Sequence, residues 1–477
     1  MDSLPSPGSA PTSTPPPHFD VIIVGAGASG LSCARRLFAS HPSLSILLLE
    51  SRPRPGGRCY TDASFGDVGG AWLHGVDGSD PRSINCLFDE AGGLAASSRM
   101  DWDDGVVYDG ETGERLPDAL LAKAEKEWSL VERRVEKLQD KGDVDSSLEA
   151  GVERAVAELT KAGKLPALRD DPRLLHLFKS ESYDLDYGSF LSDTSLWYFD
   201  NDRITEGDAV PKNGYGNLLQ TLVGFAPPEE SPSSELRLNH VVSSIAYETG
   251  GGEGNPLVAI GTVAHGSFSC RHCVVTVPLG VLQASRIAFS PSLPSSFTAS
   301  LQQNAMGLLN KSILLFDEVF WDDASVLYCL ASPPRRPYVG WFFNDHKYSG
   351  GCRKALVFLT GSDDARDAET KTDDERTAEL VDILRCMYGE RCRPPVKSLH
   401  TRWLSDEFAR GSYSYRRVGF DPNVGFKGFQ MPYWDERLFF AGEHTNREYS
   451  STVHGAVVSG RRAADQVSKS VTAERDK

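Results

Sequence analysis

Nothing in the 477 residues is built to cross a membrane as a helix: no stretch reaches the ~18 consecutive apolar residues that a span needs. Residues Met1–His18 are rich in proline and serine and lack the basic start and apolar core of a secretory signal, so a disordered tail is expected over 1–17. The ending Glu474-Arg475-Asp476-Lys477 matches neither a peroxisomal Ser-Lys-Leu nor an endoplasmic-reticulum retention signal, which leaves the cytoplasm as the expected location. Basic charge is in deficit. Against 66 Asp and Glu stand 50 Lys and Arg, a net charge of −16. This argues against nucleic acid or an anionic membrane as partner and suits a small polycationic molecule. Cysteine is sparse, and an odd count of 9, widely scattered, makes no disulfide framework. Cys270-Arg271-His272-Cys273 resembles a metal or redox pair, but it leads into the apolar run Val274–Val277 and no second pair has zinc-ribbon spacing. Both are read as strand cysteines, and no metal site is expected.

What is present begins with Phe19, Val21, Ile22, Ile23 and Val24, an apolar run that enters Gly25-Ala26-Gly27-Ala28-Ser29-Gly30. A helix-compatible stretch, Leu31–Ser40, follows, and then a second apolar run, Leu44–Leu49, closed by Glu50. Strand, Gly-x-Gly-x-x-Gly turn, helix, strand and acidic residue form a βαβ unit for a dinucleotide. Gly25 permits the sharp turn, Gly27 admits a pyrophosphate against the backbone, and Gly30 lets helix and strand pack closely. Glu50 suits a ribose diol and disfavours a 2′-phosphate.

The continuation Glu50-Ser51-Arg52-Pro53-Arg54-Pro55-Gly56-Gly57-Arg58 resembles the flavin-dependent amine oxidase family, whose first βαβ unit runs into a Gly-Gly-Arg loop on the flavin nucleotide. Exposed backbone N–H groups and a forked guanidinium suit a second approach to a phosphate. The resemblance implies FAD, contacted by Gly25, Gly27, Ala28, Ser29, Gly30, Glu50, Ser51, Arg52, Gly57 and Arg58. Three further stretches resemble the same family. Gly69-Gly70-Ala71-Trp72-Leu73-His74 implies Trp72 beside the flavin and His74 facing the substrate amine. Lys311 opens the apolar run Ser312–Phe316, a costly place for a charge, and the resemblance makes it the lysine that reaches the flavin through a water. It also makes glycosylation of Asn310 improbable.

Thr401–Tyr415 is similar to polyamine oxidases and lysine-specific histone demethylases, which implies Trp403 against the flavin and Tyr413 as a wall that orients the amine by cation–π contact. Monoamine oxidases carry a flavin-linked cysteine at the place of Tyr413, so FAD is expected to be noncovalent. Leu438–Thr445 and the helix opening near Thr452 imply Gly442, Glu443, Thr452 and Val453 at the cofactor, with Val242 at the adenine. Some polyamine oxidases carry an aromatic residue at the position of Thr452, so the cage here has one aromatic wall and Thr452 faces the substrate beside it.

The expected fold is α/β: a doubly wound, Rossmann-like FAD domain from 18–85, 209–290 and 430–468, with an α+β substrate domain from 86–208 and 291–429 and a second tail over 469–477. Helices are predicted over Asp118–Lys141, Ser147–Leu159, Pro172–Lys179, Leu218–Val223 and Asp373–Tyr388, and strands over Leu236–Tyr247, Leu257–Val263 and Cys273–Val277. Asp200, Asp202, Glu206 and Asp208 lie among Trp197, Tyr198 and Phe199, a solvated loop that could also hold ammonium groups. The implied activity is a polyamine oxidase acting on spermine, spermidine or acetylated forms with O2, with Lys311 and His74 as catalytic residues. The alternatives are a histone-lysine demethylase, which the missing helical tower and chromatin module disfavour, and a catalytically silent FAD-binding scaffold. Oligomeric state is left open, with a monomer compatible.

Overall fold

The computed structural model describes residues 16–77, 85–93, 96–139, 144–200, 207–229, 231, 233–249, 257–331 and 339–475. Its first strand, His18–Val24, lies between Ile46–Leu49 and Ser267–Val275, parallel to both. It is covered on both faces, which is why its core reads as an unbroken apolar run. Eight strands make this sheet, edged by Glu235–Arg237 and Ala288–Ser290, with Leu438–Phe440 paired to the end of Ser267–Val275. The helix Ala28–Ser40 begins three residues earlier than its periodicity suggests, directly at the glycine turn. It packs on the long C-terminal helix Val453–Arg475 so closely that a Cβ on Gly460 would lie 2.2 Å from the Ser29 carbonyl oxygen.

The strand expected over Leu236–Tyr247 is two strands. Glu235–Arg237 extends the sheet beside Ile46–Leu49, whereas Val242–Glu248 pairs antiparallel with Leu257–Thr262. Between them Asn239 takes φ 58°, its N–H donates to the Arg52 carbonyl, and the His240 N–H donates to the Glu50 carbonyl. Asparagine tolerates that left-handed backbone, so the break lies inside an otherwise strand-like pattern.

A second sheet of six strands runs Lys397–His400, Leu309–Leu315, Ala355–Gly361, Val339–Asn344, Val326–Leu330 and Gly105–Asp109, antiparallel except for the last pair. Its faces follow the two-residue period. Leu314, Leu327, Phe342 and Phe358 meet the helix Asp373–Tyr388, whose start is fixed by a Thr372/Glu375 capping box. Ile313, Tyr328, Trp341 and Val357 meet the other side, where Trp128, Val131 and Val135 of the helix Asp118–Gln139 pack. The helix Leu148–Lys161 joins this layer. Pro172–Lys179 is helical as expected, but it passes without a break into a π-helix, Ser180–Leu185. Among the described residues no helix is long and apolar enough to cross a membrane. None of the nine cysteines is in a disulfide, and Cys270 and Cys273 lie within the strand Ser267–Val275.

Candidate active site

A cavity of about 850 Å³ lies between the two sheets, with Gly25, Glu50 and Val242 on one side and Lys311, Trp341 and Leu359 on the other. The first wall is glycine. The helix Ala28–Ser40 has Gly27 as its N-cap and no side chain caps it, so the N–H groups of its first turn point where an anion would sit, with Ala28 and Ser29 on the cavity. A Cβ on Gly27 would meet only the Gly57 Cα, at 4.0 Å. Gly57 stands on the same cavity and is held there by the Gly56 N–H bonding to the Ala26 carbonyl. Gly30 stands behind, where a Cβ would lie 1.9 Å from the Gly25 carbonyl oxygen, so its part is helix packing. Glu50 Oε2 accepts the Ala26 N–H at 2.8 Å, and Oε1 accepts the Arg52 N–H at 2.9 Å and the Ser51 hydroxyl at 3.4 Å. A carboxylate with about four lone-pair sites keeps capacity for a diol.

Several expected cofactor contacts have their polar atoms engaged within the protein. Arg52 bonds Asp406 at 2.7 Å. The Ser29 hydroxyl donates to the Ala456 carbonyl, tying the two helices together. Arg58 Nη1 bonds the Ser412 carbonyl at 2.6 Å and Glu443 Oε1 at 3.2 Å. Glu443 Oε2 takes the Ser414 hydroxyl at 2.6 Å and the Ser451 N–H at 3.1 Å. Glu443 is thus an internal ion-pair anchor on the border of the cavity. Burial pushes its carboxyl up, and the Arg58 and His444 charges together with the hydrogen bonds from Ser414 and Arg58 outweigh this, leaving it below the usual carboxylate range. Gly442 takes φ 141° and gives its N–H to Ser459. Thr452 borders the cavity, where its hydroxyl accepts the Gly455 N–H at 2.9 Å and donates to the Tyr449 carbonyl, so it also caps the C-terminal helix. Val453 follows it at the cavity.

The opposite wall carries Lys311 with Trp72, Trp403 and Tyr413. Lys311 lies within the strand Leu309–Leu315 and is buried, with Nζ donating to the Asp67 carbonyl at 3.0 Å and the Gly69 carbonyl at 2.7 Å. Nζ also sits 4.9 Å from the centre of the Trp72 ring. Burial lowers its pKa to about 8, with Asp67 acting in the opposite direction. The preceding residue points to the other side of the strand. There Asn310 Oδ1 accepts the Trp403 N–H at 3.0 Å, which seats the tryptophan loop, and Asn310 is buried. Trp403 and Tyr413 both line the cavity, and the Tyr413 hydroxyl reaches the Leu185 and Asp186 carbonyls.

His74 also faces the cavity. Its Nδ1 lies 2.9 Å from Asp208 Oδ1, while Asp208 Oδ2 accepts the Trp102 indole N–H at 2.8 Å. Asp200 and Asp208, two members of the acidic loop cluster, reach the cavity, and Asp202 and Glu206 lie outside the described residues. Glu181 and Asp186 join them from the π-helix and its end, with Trp102, Tyr187 and Phe199 beside them. Sequence reading missed Glu181, Asp186 and Trp102. A π-turn has no pattern of its own, and nothing in the spacing ties residue 102 to 208. Glu181 accepts the Tyr328 hydroxyl at 2.6 Å, and burial raises its carboxyl.

A profile of the flavin containing amine oxidoreductases matches residues 28–468. The chain belongs to that family. It is a flavin-dependent amine oxidase with FAD as its cofactor. Polyamine oxidase 4 of Oryza sativa subsp. japonica is 31% identical over 95% of this chain and 90% of its own length. Probable polyamine oxidase 4 of Arabidopsis thaliana is 30% identical over 92% and 85%. Lysine-specific histone demethylase 1 homolog 3 of the same rice is 32% identical over 95% of this chain but only 54% of its own length. A solved putrescine oxidase double mutant shares the fold, with a TM-score of 0.67 at 19% identity over 95% of this chain and 99% of that one.

The cavity fits FAD on its own terms. The glycine approach at Gly27 and Gly57, the uncapped helix N-terminus and the Trp72 Nε1–H, buried with no partner among the described residues, are a cradle and a donor set for an anionic, acceptor-rich ring nucleotide. The glycine turn would hold the pyrophosphate, Glu50 the ribose, and Lys311, Trp72 and Trp403 would lie nearest the ring.

Proposed function

We propose that the enzyme oxidises a secondary amine of spermine, spermidine or an acetylated form, in the cytoplasm, to an imine that water then cleaves. The observation that carries this is the cavity's acidic and aromatic side. Glu181, Asp186, Asp200 and Asp208 stand with Trp72, Trp102, Tyr187 and Phe199, which suits several ammonium groups along one flexible chain. The relatives named polyamine oxidases, aligned over most of their length, support the same reading. FAD, when bound, accepts the hydride equivalent from the amine carbon and passes the electrons to O2, giving hydrogen peroxide. Tyr413 stands where a covalent flavin link would need cysteine, so the cofactor is held by contacts alone.

The protein's own residues divide the remaining work. The aromatic walls and carboxylates bind and orient the chain. His74 takes a proton from the ammonium, because only a neutral amine can release hydride. Lys311 positions a proton near the ring, its two carbonyl partners fixing the direction of Nζ. The partition into an FAD domain and a substrate domain follows the two sheets, and each contributes one wall.

The test is anaerobic mixing of the purified yellow protein with spermine, spermidine, their acetylated forms and a methyl-lysine peptide. Rapid bleaching by a polyamine is expected, faster as pH rises towards the amine pKa. Bleaching by the methyl-lysine peptide alone would transfer the assignment to the demethylase reading, which the 32% identity to that relative motivates. A flavin that stays oxidised with every amine would defeat both.

A further inference from the structure

Behind Trp403 two side chains catch the backbone of the loop that carries it. The backbone N–H of Trp403 donates to Asn310 Oδ1 at 3.0 Å, that of Leu404 to Glu369 Oε1 at 2.9 Å, and that of Ser405 to Glu369 Oε2 at 2.9 Å. Three successive N–H groups aimed the same way make a concave donor set. The acceptor that fills most of it is Glu369, the last residue of the helix Ser362–Glu369. Asn310 Nδ2, at 2.9 Å, and the Ser405 hydroxyl are the other donors on its two oxygens. A carboxylate has about four acceptor sites, and these four donors occupy them. The Asn310 amide has one orientation here. The Trp403 N–H can only donate, so the amide oxygen must face it and the NH2 must face Glu369. That oxygen also takes the Thr401 hydroxyl at 3.1 Å.

We propose that Glu369, acting with Asn310, is a positioning residue that holds Trp403 at the cavity before FAD arrives, so that the cofactor meets a wall already in place. The seat is tied to the sheet at both of its members. Asn310 belongs to the strand Leu309–Leu315, and the helix that ends in Glu369 starts at Ser362, whose N–H donates to the Leu308 carbonyl at 2.9 Å. The Gly411 N–H donates to the Trp403 carbonyl at 2.7 Å, so both backbone groups of the tryptophan are engaged. Its side chain is left 9% exposed on the cavity border, packed with Leu308, Ala365 and Ala409. A loop fixed in advance does not have to be ordered at the moment of binding, and the affinity gains by that amount. Neither the seat nor its effect on FAD involves an amine, so failure of the substrate assignment above leaves it untouched.

Glu369→Gln isolates the seat. Glutamine has one accepting end, so a donor meets a donor whichever way its amide turns. The far end of the loop stays held by Arg52 on Asp406 at 2.7 Å, so one end loosens while the fold is kept. Four proteins, wild type, E369Q, W403F and E369Q/W403F, are compared by the fluorescence of their bound FAD and by the Kd of their apoproteins for FAD. An indole against a flavin ring quenches its emission. E369Q is expected to raise the emission towards that of W403F and to raise the Kd about tenfold. On the W403F background the same change should add no more than about twofold, because both substitutions act through one contact. Emission and Kd in E369Q equal to wild type would overturn the proposal. So would a tenfold loss that E369Q adds in full to W403F, since Glu369 would then act on FAD by a route other than the tryptophan.

Hydrogen exchange of the wild-type protein decides the same point without a variant. Slow exchange at the backbone N–H groups of Trp403, Leu404 and Ser405 is expected with and without FAD. Fast exchange of all three in the apoprotein would mean that the wall forms only around the cofactor, and the proposal would fall.

Discussion

Lys311 carries the most conditional charge in the site. As a neutral amine it has two hydrogens for two carbonyls, those of Asp67 and Gly69, and keeps a lone pair; as an ammonium it has one hydrogen more and faces the Trp72 ring. Burial places the change of state near pH 8. Replacing Lys311 by Met is expected to slow reoxidation of the reduced flavin by O2 roughly a hundredfold and to remove any inflection near pH 8, which stopped-flow mixing with oxygen would register. The same group makes a stability prediction. Its folded pKa of about 8 lies below the ordinary 10.5, so between those values the unfolded chain binds more protons than the folded one. Wild-type stability should therefore gain, by up to about 3 kcal/mol, as pH rises through that window. Urea unfolding of wild type and K311M compares the two slopes, and K311M should lack the rise.

Glu443 has the opposite sign. Its carboxyl is held low in the fold, so its contribution is complete above the usual carboxylate range and is lost as pH falls through the folded value. Glu443→Gln leaves Arg58 without its counter-ion and should cost roughly 3 kcal/mol near neutrality. The gap to wild type should close on acidification, and thermal melts across that range would show whether it does.

At the level of elements, two glycines only three residues apart have different jobs, and this can be tested. Gly27→Ala puts a methyl group where the nearest protein atom is 4.0 Å away. The apoprotein should fold with a near-normal melting temperature but retain little FAD. Gly30→Ala drives the same methyl group to 1.9 Å from a backbone oxygen, so it should lower the melting temperature even without FAD. Absorbance at the flavin band and melting curves of both apoproteins separate the outcomes.

The opening βαβ unit was legible because strand, glycine turn and acidic residue each leave a mark in the sequence. The helix Asp373–Tyr388 was legible to its last residue because a capping box and an apolar stripe bound it. Two elements were not. The break at Asn239 hides in a strand-like alternation, since a single left-handed residue leaves no periodic trace. The π-helix hides for a related reason: it differs from the preceding helix in hydrogen-bond register rather than in residue type. Within the site, Lys311, His74 and Tyr413 were visible because each sits oddly in its local pattern or matches a family motif. Glu181 and Trp102 were visible only in three dimensions, and the internal bonds of Glu443 and Thr452 needed side-chain geometry.

Across the whole molecule, the cavity is a seam between two sheets, one parallel around its centre and rich in glycine contacts, the other antiparallel and rich in aromatics. A ligand in that seam touches both, so FAD should stabilise the protein as a unit. Each tenfold rise in free FAD above its Kd is expected to add about 1.4 kcal/mol to unfolding. Titrating the apoprotein and following the urea midpoint by fluorescence in each half would check this, and midpoints that separated between the halves would contradict it.

The π-helix Ser180–Leu185 gives this seam an uneven capacity for change. Such a turn holds one residue more than a regular helix, so deleting a single residue would restore the regular form and swing its neighbours by about 100° around the axis. Glu181 would turn away from the cavity or Asp186 would, while the glycine wall on the far side kept every atom in place. Evolution therefore has a one-codon route to a different amine, one that leaves the glycine cradle at Gly27 and Gly57 unchanged.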